Sequence, residues 1–356
     1  MTPNPLGLFC VGFDGLTIPD TLRPLLDEGL GGVILFKRNL QSLEQVCRLT
    51  ADLHASAPAP LLVGVDQEGG RVTRLPPPFL VPPAAGLLGR LGDPGLTEEL
   101  ARATGRELAI AGINWNLAPV LDVRTNPANP IIGDRAYSDD PESVARMGLA
   151  ALRGFKDAGV LTTAKHFPGH GETAADSHLT LPESLQSSAR WRSVEFLPFR
   201  EAIRHGVPSI MVAHLACPAL DPNAPTSLSP LVIRDILRAE LGFAGVVVSD
   251  DMEMGAIVSR FDVGEAAVRF LKAGGDLILI CRDIDRQRVA LAAVQHAVRS
   301  GRLTEAQLEV SLDRIAKARS IAVSAPSAIN LQAAQTIVGC ASHQALLERA
   351  QRTGAG

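Results

Sequence analysis

Apolar residues along this chain fall into two alternating kinds of run. Short, continuous apolar stretches recur at residues 7–13, 32–36, 61–66, 113–120, 161–166, 209–214, 246–250 and 276–281, each ending in polar residues or glycine. Their length and their valine, isoleucine and leucine content predict buried strands. Between them, residues 42–55, 96–111, 141–158, 190–205, 230–241, 263–273 and 286–300 repeat apolar positions every three to four residues. That period predicts amphipathic helices. Strands alternating with helices imply parallel strands and crossover helices. Eight strands close a barrel, so the expected fold is α/β, a single (β/α)8 TIM-type barrel with room for irregularity in its first strands. An open doubly wound sheet is the alternative, but no GxGxxG or GxxxxGK[ST] sequence follows an early strand.

The barrel is expected to occupy residues 1–324. Residues 301–323 read as its closing helix, with Thr304 as N-cap before Glu305. Residues 325–356 turn to Ala, Gln and Ser and predict a C-terminal extension, helical or partly ordered. The stretch LPPPFLVPPAAG at residues 75–86 holds five of the 25 prolines and predicts a stiff connection with no chemistry of its own.

Composition narrows the class. The 356 residues are 46% apolar, enough for a large core, and carry a formal charge of −4 with no basic block. Neither nucleic acid nor an anionic membrane is an expected partner. The five cysteines are scattered, without a CxxC pair, which argues against a disulfide framework or thiolate zinc site and fits a reducing compartment. The N-terminus lacks a secretory pattern and no window of about 20 residues suits a bilayer. The expectation is a cytoplasmic protein, monomeric or weakly dimeric, needing no cofactor or metal.

Ionisable residues gather at the ends of the predicted strands: Asp66, Asp122, Lys165 with His166, His214, and Asp250 with Asp251. In a barrel these ends meet on one face, where active sites are built. The densest cluster is KHFPGHGETAADSH at residues 165–178, with three of the eight histidines in a loop fed by a buried strand. Asp176, two residues before His178, can fix the imidazole tautomer and leave Nε2 for proton transfer. The same spacing also fits a solvated surface loop. Lys165 suits either a Schiff base or a hydrogen-bond donor to hydroxyls. Asp250 ends a three-valine strand and can serve as nucleophile, base or ligand. Either it or Asp251 is instead a structural acceptor, and spacing does not say which. Asp66, Arg74 and Arg135 lie just past strand ends. A metal site on His166, His170, His178 and Asp250 is disfavoured, because Pro168 and Gly169 break the helix an HxxxH pair needs.

These segments, with VDQEGGRVTRL, APVLDV, NPIIGDRAYSDDP, AHLACP and VVVSDDMEMGAI, resemble glycoside hydrolase family 3 over residues 7–320. They look most like its single-domain bacterial β-N-acetylhexosaminidase branch. The resemblance implies a retaining, exo-acting enzyme that removes terminal β-linked N-acetylglucosamine, with muropeptides of cell-wall recycling as the usual source. It implies Asp250 as nucleophile, His178 as general acid/base and Asp176 as its polarising partner. It places Asp66, Arg74, Arg135, Lys165 and His166, with His214, around the sugar. Glu172 stands where aspartate is common and is expected to face solvent. With 4% aromatic residues, a short pocket is expected rather than a long stacking cleft. Phosphorolysis at the same site, a broader β-glycosidase, and a non-catalytic sugar binder are the alternatives.

Overall fold

Each apolar run becomes one parallel strand, and the strands follow chain order around a closed barrel: β1 (Phe9–Val11), β2 (Gly32–Leu35), β3 (Leu62–Val65), β4 (Trp115–Asn116), β5 (Leu161–Phe167), β6 (Ser209–Val212), β7 (Val246–Asp251) and β8 (Leu277–Ile280). The computed structural model describes residues 3–173, 180–322 and 329–354. β8 returns to β1, pairing Ile278 with Phe9 and Ile280 with Val11. Side chains fill the barrel and helices cover its outside. Strands buried on both faces are mostly apolar rather than alternating, with ionisable residues gathered toward the C-terminal ends of β5 and β7.

Two strands are much shorter than predicted. Residues 7 and 8 of the first run fall in a 3-10 turn, Pro5–Leu8, held by Asn4, whose side chain accepts from the Leu6 N–H. The fourth run is cut to two residues because Pro119 has no N–H to donate. Pairing with β5 continues through carbonyls, with Ala118 and Pro119 accepting from the N–H groups of Thr163 (3.2 Å) and Lys165 (3.1 Å).

The helices start where the sequence supplies side-chain acceptors. Ser42, Asp93, Asp140, Asp262 and Asp283 each accept a first-turn N–H. Each such cap stabilises its helix by about 1 kcal/mol. The predicted helix 190–205 runs from Ser188 to Arg204, with π-wound turns at Trp191–Glu195.

The closing helix Glu305–Ile321 begins at a capping box of Thr304 and Gln307. It lies under the barrel. Ser311 donates to Asp276 (2.7 Å) and Arg319 to the Gly31 carbonyl (2.6 Å), and both acceptors immediately precede a strand. This seals the N-terminal end and leaves the C-terminal strand ends open. Helices Leu331–Ile337 and Ala341–Gly354 pack on the outside, mainly against helix Pro94–Ile110. All five cysteines are free. Among the described residues no helix is long and apolar enough to cross a membrane.

Candidate active site

At the C-terminal end of the barrel a cavity of about 370 Å³ opens between the strand ends. Asp250, the expected nucleophile, and five of the six residues expected around the sugar lie in its wall: Asp66, Arg74, Arg135, Lys165 and His166. They come from the ends of β3, β5 and β7 and the loops that follow β3 and β4.

One wall is a network of paired charges. Lys165, with a side chain 2% exposed, donates to Asp66 Oδ1 (2.7 Å) and lies 2.6 Å from Glu68 Oε1. Arg135 grips Glu68 with two parallel bonds, Nε to Oε2 and Nη2 to Oε1, both 2.8 Å. Arg74 donates to Asp66 Oδ2 (3.2 Å). Burial alone would raise the Asp66 carboxyl, but Lys165 and then Arg74 outweigh it and hold it below the ordinary range. Burial is likewise overcome at Glu68, where Lys165 and Arg135 push the carboxyl far below its usual value. Asp66, Glu68, Lys165 and Arg135 stay charged because each is desolvated beside a partner of opposite sign.

His166 sits between an acid and a base. Its Nδ1 lies 2.7 Å from Asp122 Oδ2, and Arg135 Nη2 lies 3.3 Å from its Nε2. A guanidinium only donates, and a carboxylate only accepts, so the two ring nitrogens face groups of opposite demand. The other Asp122 oxygen accepts from the backbone N–H of His166 (3.3 Å) and of His170 (2.6 Å). The fully buried Asp122 thus fixes both the end of β5 and the loop beyond it. His170 stands edge-on to His166 and its Nδ1 meets Thr173 Oγ1 at 2.7 Å. Burial, then the neighbouring His166, pushes its pKa down to about 4, so it is neutral at physiological pH.

The two acids that end β7 separate by their partners. Asp251 Oδ1 accepts from the N–H groups of Glu253 (3.0 Å) and Cys281 (3.2 Å). Burial pushes its pKa up to about 7. It is the structural acceptor of the pair. Among the described residues, Asp250 Oδ1 accepts only its neighbour's N–H, from Asp251 at 2.9 Å. Burial would raise this carboxyl as well, but His166, His214, that N–H and Lys165 together keep it low. An ionised carboxylate with spare lone pairs in a cavity can act as a nucleophile.

His214 is placed differently from its expected role. It is fully buried behind β7, with Nδ1 2.6 Å from Ser227 Oγ and Nε2 3.1 Å from the Asp251 carbonyl, and it does not line the cavity. Its position supports the turn that carries the two acids. Glu172 does not simply face solvent. Its carboxylate takes hydrogen bonds from Thr125 (2.5 Å) and Gln186 (3.0 Å). Asp176 and His178 lie outside the described residues.

Three further residues shape the site: Glu68, which the sequence does not single out, His170, which it offers only as a disfavoured metal ligand, and Asp122. Glu68 follows Asp66 by two positions, the spacing at which extended residues share a side. Asp122 had been noted only as a polar strand end. Among the described residues no three His, Cys, Asp or Glu side chains converge as metal ligands.

The chain matches the glycosyl hydrolase family 3 N terminal domain over residues 12–318. It is 39% identical over 297 residues to the beta-hexosaminidase of Nitrosomonas eutropha, covering 82% of this chain and 85% of that protein. A family 3 beta-N-acetylglucosaminidase structure from Paenibacillus sp. str. FPU-7 superposes with a TM-score of 0.92 at 41% identity, over 99% of this chain and 68% of that one. The structure of NagZ from Neisseria gonorrhoeae in complex with N-trifluoroacetyl-D-glucosamine superposes with a TM-score of 0.81 at 31% identity, covering 99% and 98% of the two chains. A closed barrel with charged strand ends, a family match across most of its length and relatives of this kind together make the chain a member of glycoside hydrolase family 3, a glycoside hydrolase acting on O-glycosyl bonds.

Proposed function

We propose that this enzyme is a retaining, exo-acting β-N-acetylglucosaminidase that removes terminal β-linked N-acetylglucosamine by double displacement, with muropeptide fragments as its substrates. In the first step Asp250 attacks the anomeric carbon while protonated His178 delivers a proton to the departing glycosidic oxygen. A glycosyl ester forms on Asp250 and the aglycone leaves. In the second step neutral His178, polarised by Asp176, takes a proton from water, which attacks the anomeric carbon and frees the carboxylate.

The observation that carries this reading is the unequal state of the two walls. Among the described residues Asp250 has one local donor, whereas across the barrel Lys165 lines the cavity with donor capacity to spare. Lys165 has used two of its three N–H bonds, on Asp66 and Glu68. A sugar hydroxyl or acetamido carbonyl can accept the third. The size also favours one sugar, since 370 Å³ is near the lower limit of about 300–1,000 Å³ for ligand pockets. Phe36 is the one phenylalanine, tyrosine or tryptophan among the described lining residues, so stacking along a polymer has little support.

Phosphorolysis at the same site is the second reading. Against it, each described cation in the wall already faces a carboxylate: Arg71 faces Asp134, Arg74 and Lys165 face Asp66, and Arg135 faces Glu68. A phosphate would have to compete with these acids. Turnover in phosphate buffer should release N-acetylglucosamine rather than its 1-phosphate.

The nucleophile is tested with a 5-fluoro N-acetylglucosaminyl donor and mass mapping of the trapped enzyme. The label is expected on Asp250, and a label outside residues 246–254 would overturn the assignment.

A further inference from the structure

The loop that carries Asp66 and Arg74 is not held by the barrel alone. Gln67, 1% exposed, spans it: its Oε1 accepts from the Arg74 N–H (3.0 Å) and its Nε2 donates to the Leu80 carbonyl (3.1 Å). Leu80 belongs to the proline-rich connection. That connection presses on the sugar-binding loop at Gly69 and Gly70. The Gly70 N–H donates to the Pro82 carbonyl (2.9 Å), and Gly69, at φ +105°, leaves no room for a Cβ before the Pro83 carbonyl.

On its other side the same connection is held by the C-terminal extension. The Leu80 N–H donates to Glu107 Oε2 (2.6 Å). Glu107 Oε1 accepts from the Gly339 N–H (2.9 Å) and from His343 Nδ1 (2.7 Å). Glu107 and His343 are buried, at 1% and 7% exposure. Gly339, at φ +67°, packs so closely that a Cβ would sit 2.5 Å from the Pro78 carbonyl. A continuous line of hydrogen bonds therefore runs from His343 through Glu107, the Leu80 peptide and Gln67 to Arg74, with backbone packing beside it at both junctions.

From this line we infer that the C-terminal extension is a working part of the sugar-binding site, with His343 and Glu107 as positioning residues for Arg74 and Asp66. The inference rests on the proposed role of Arg74 and Asp66 in holding the sugar. A buried carboxylate with three donors from two separate segments sets the spacing between those segments. The connection between them is proline-rich, so it transmits that spacing rather than absorbing it.

The test compares His343→Ala, His343→Asn, Gly339→Ala and Arg74→Ala in the full chain. Each is assayed on an aryl N-acetylglucosaminide, with melting temperature measured in parallel. Val294→Ala, in the core under helix Ile284–Arg299, controls for general destabilisation. His343→Ala should raise KM by about fivefold with kcat nearly unchanged, the middle of the range for coupling through packed networks. His343→Asn, which offers an amide N–H near the position of Nδ1, should restore KM. Gly339→Ala leaves Glu107 and His343 intact but pushes on Pro78, and should raise KM in the same way; it carries the test if His343→Ala folds poorly. Val294→Ala should lower the melting temperature and leave KM alone. If Arg74→Ala raises KM and neither extension variant does, the inference is overturned and the sugar-binding reading stands. If Arg74→Ala leaves KM unchanged, both are overturned.

Discussion

Glu68→Gln is the most informative single change, because among the described residues Glu68 is the one carboxylate that touches both Lys165 and Arg135. It faces Lys165 at 2.6 Å and Arg135 through two bonds of 2.8 Å, with its side chain 6% exposed. The amide removes the charge but keeps the shape, leaving Lys165 with Asp66 and Arg135 with no carboxylate in contact among the described residues. Breaking a buried ion pair on one side costs about 3–5 kcal/mol. With an unfolding entropy of about 2.1 cal/mol/K per residue, a chain of this length loses about 4–7 °C in melting temperature at pH 7. The direction of the Glu68 shift sets the pH dependence. Its carboxyl is held far below the ordinary value, so the stabilisation is fully present above the unfolded value of about 4.3 and fades as pH falls below it. Melts of both proteins between pH 3.5 and 8 should show a constant gap down to about pH 5 that narrows in acid. Because Lys165 and Arg135 lose their orientation, kcat/KM should also fall by about tenfold to a hundredfold. Equal melting temperatures at pH 7, or a gap that widens on acidification, would refute the argument.

Four further outcomes follow from the proposed reaction and the site. Asp250→Ala should reduce turnover to background for every leaving group. His178→Ala should hurt most on poor leaving groups and least on activated aryl glycosides, and equal wild-type rates on both would reject the acid/base role. Asp251, pushed up to about pH 7, holds a proton in the folded state that the unfolded chain has released, so its contribution to stability falls as pH rises from about 4 to 7. Asp251→Asn should therefore gain stability relative to wild type across that interval, read from urea midpoints at fixed pH, and a flat difference would contradict the shift. Incubation with EDTA should leave activity unchanged, whereas loss restored by a divalent cation would revive a metal-assisted reaction.

The strands were legible because buried parallel strands are apolar on both faces. Val246 to Val248 advertise β7, and Asp250 at its end marks where the cavity begins. Lys165 and His166 were legible for the same reason. What escaped was direction and partnership. His214 also ends a strand run, yet Ser227, 13 residues on, takes its Nδ1 and turns it away from the cavity. The pairing of Glu107 with His343 spans 236 positions, and no local pattern encodes a contact that only the closed fold creates. Asp250 and Asp251 could not be told apart from spacing, because the N–H groups of Glu253 and Cys281 decide the matter and backbone donors leave no trace in side-chain identity.

The pairing of every described cation in the cavity wall with an acid reaches beyond the chemistry. A wall that is charged atom by atom but balanced pair by pair casts little field past the cavity mouth. A neutral glycoside arriving from solution gains no long-range steering there, and dissolved ions have little to screen. Recognition starts at contact, through donors already aimed by their acidic partners. Such a site should capture neutral sugars equally well in dilute and in briny surroundings, and the protein's surface is free to change its charge with habitat without retuning the pocket.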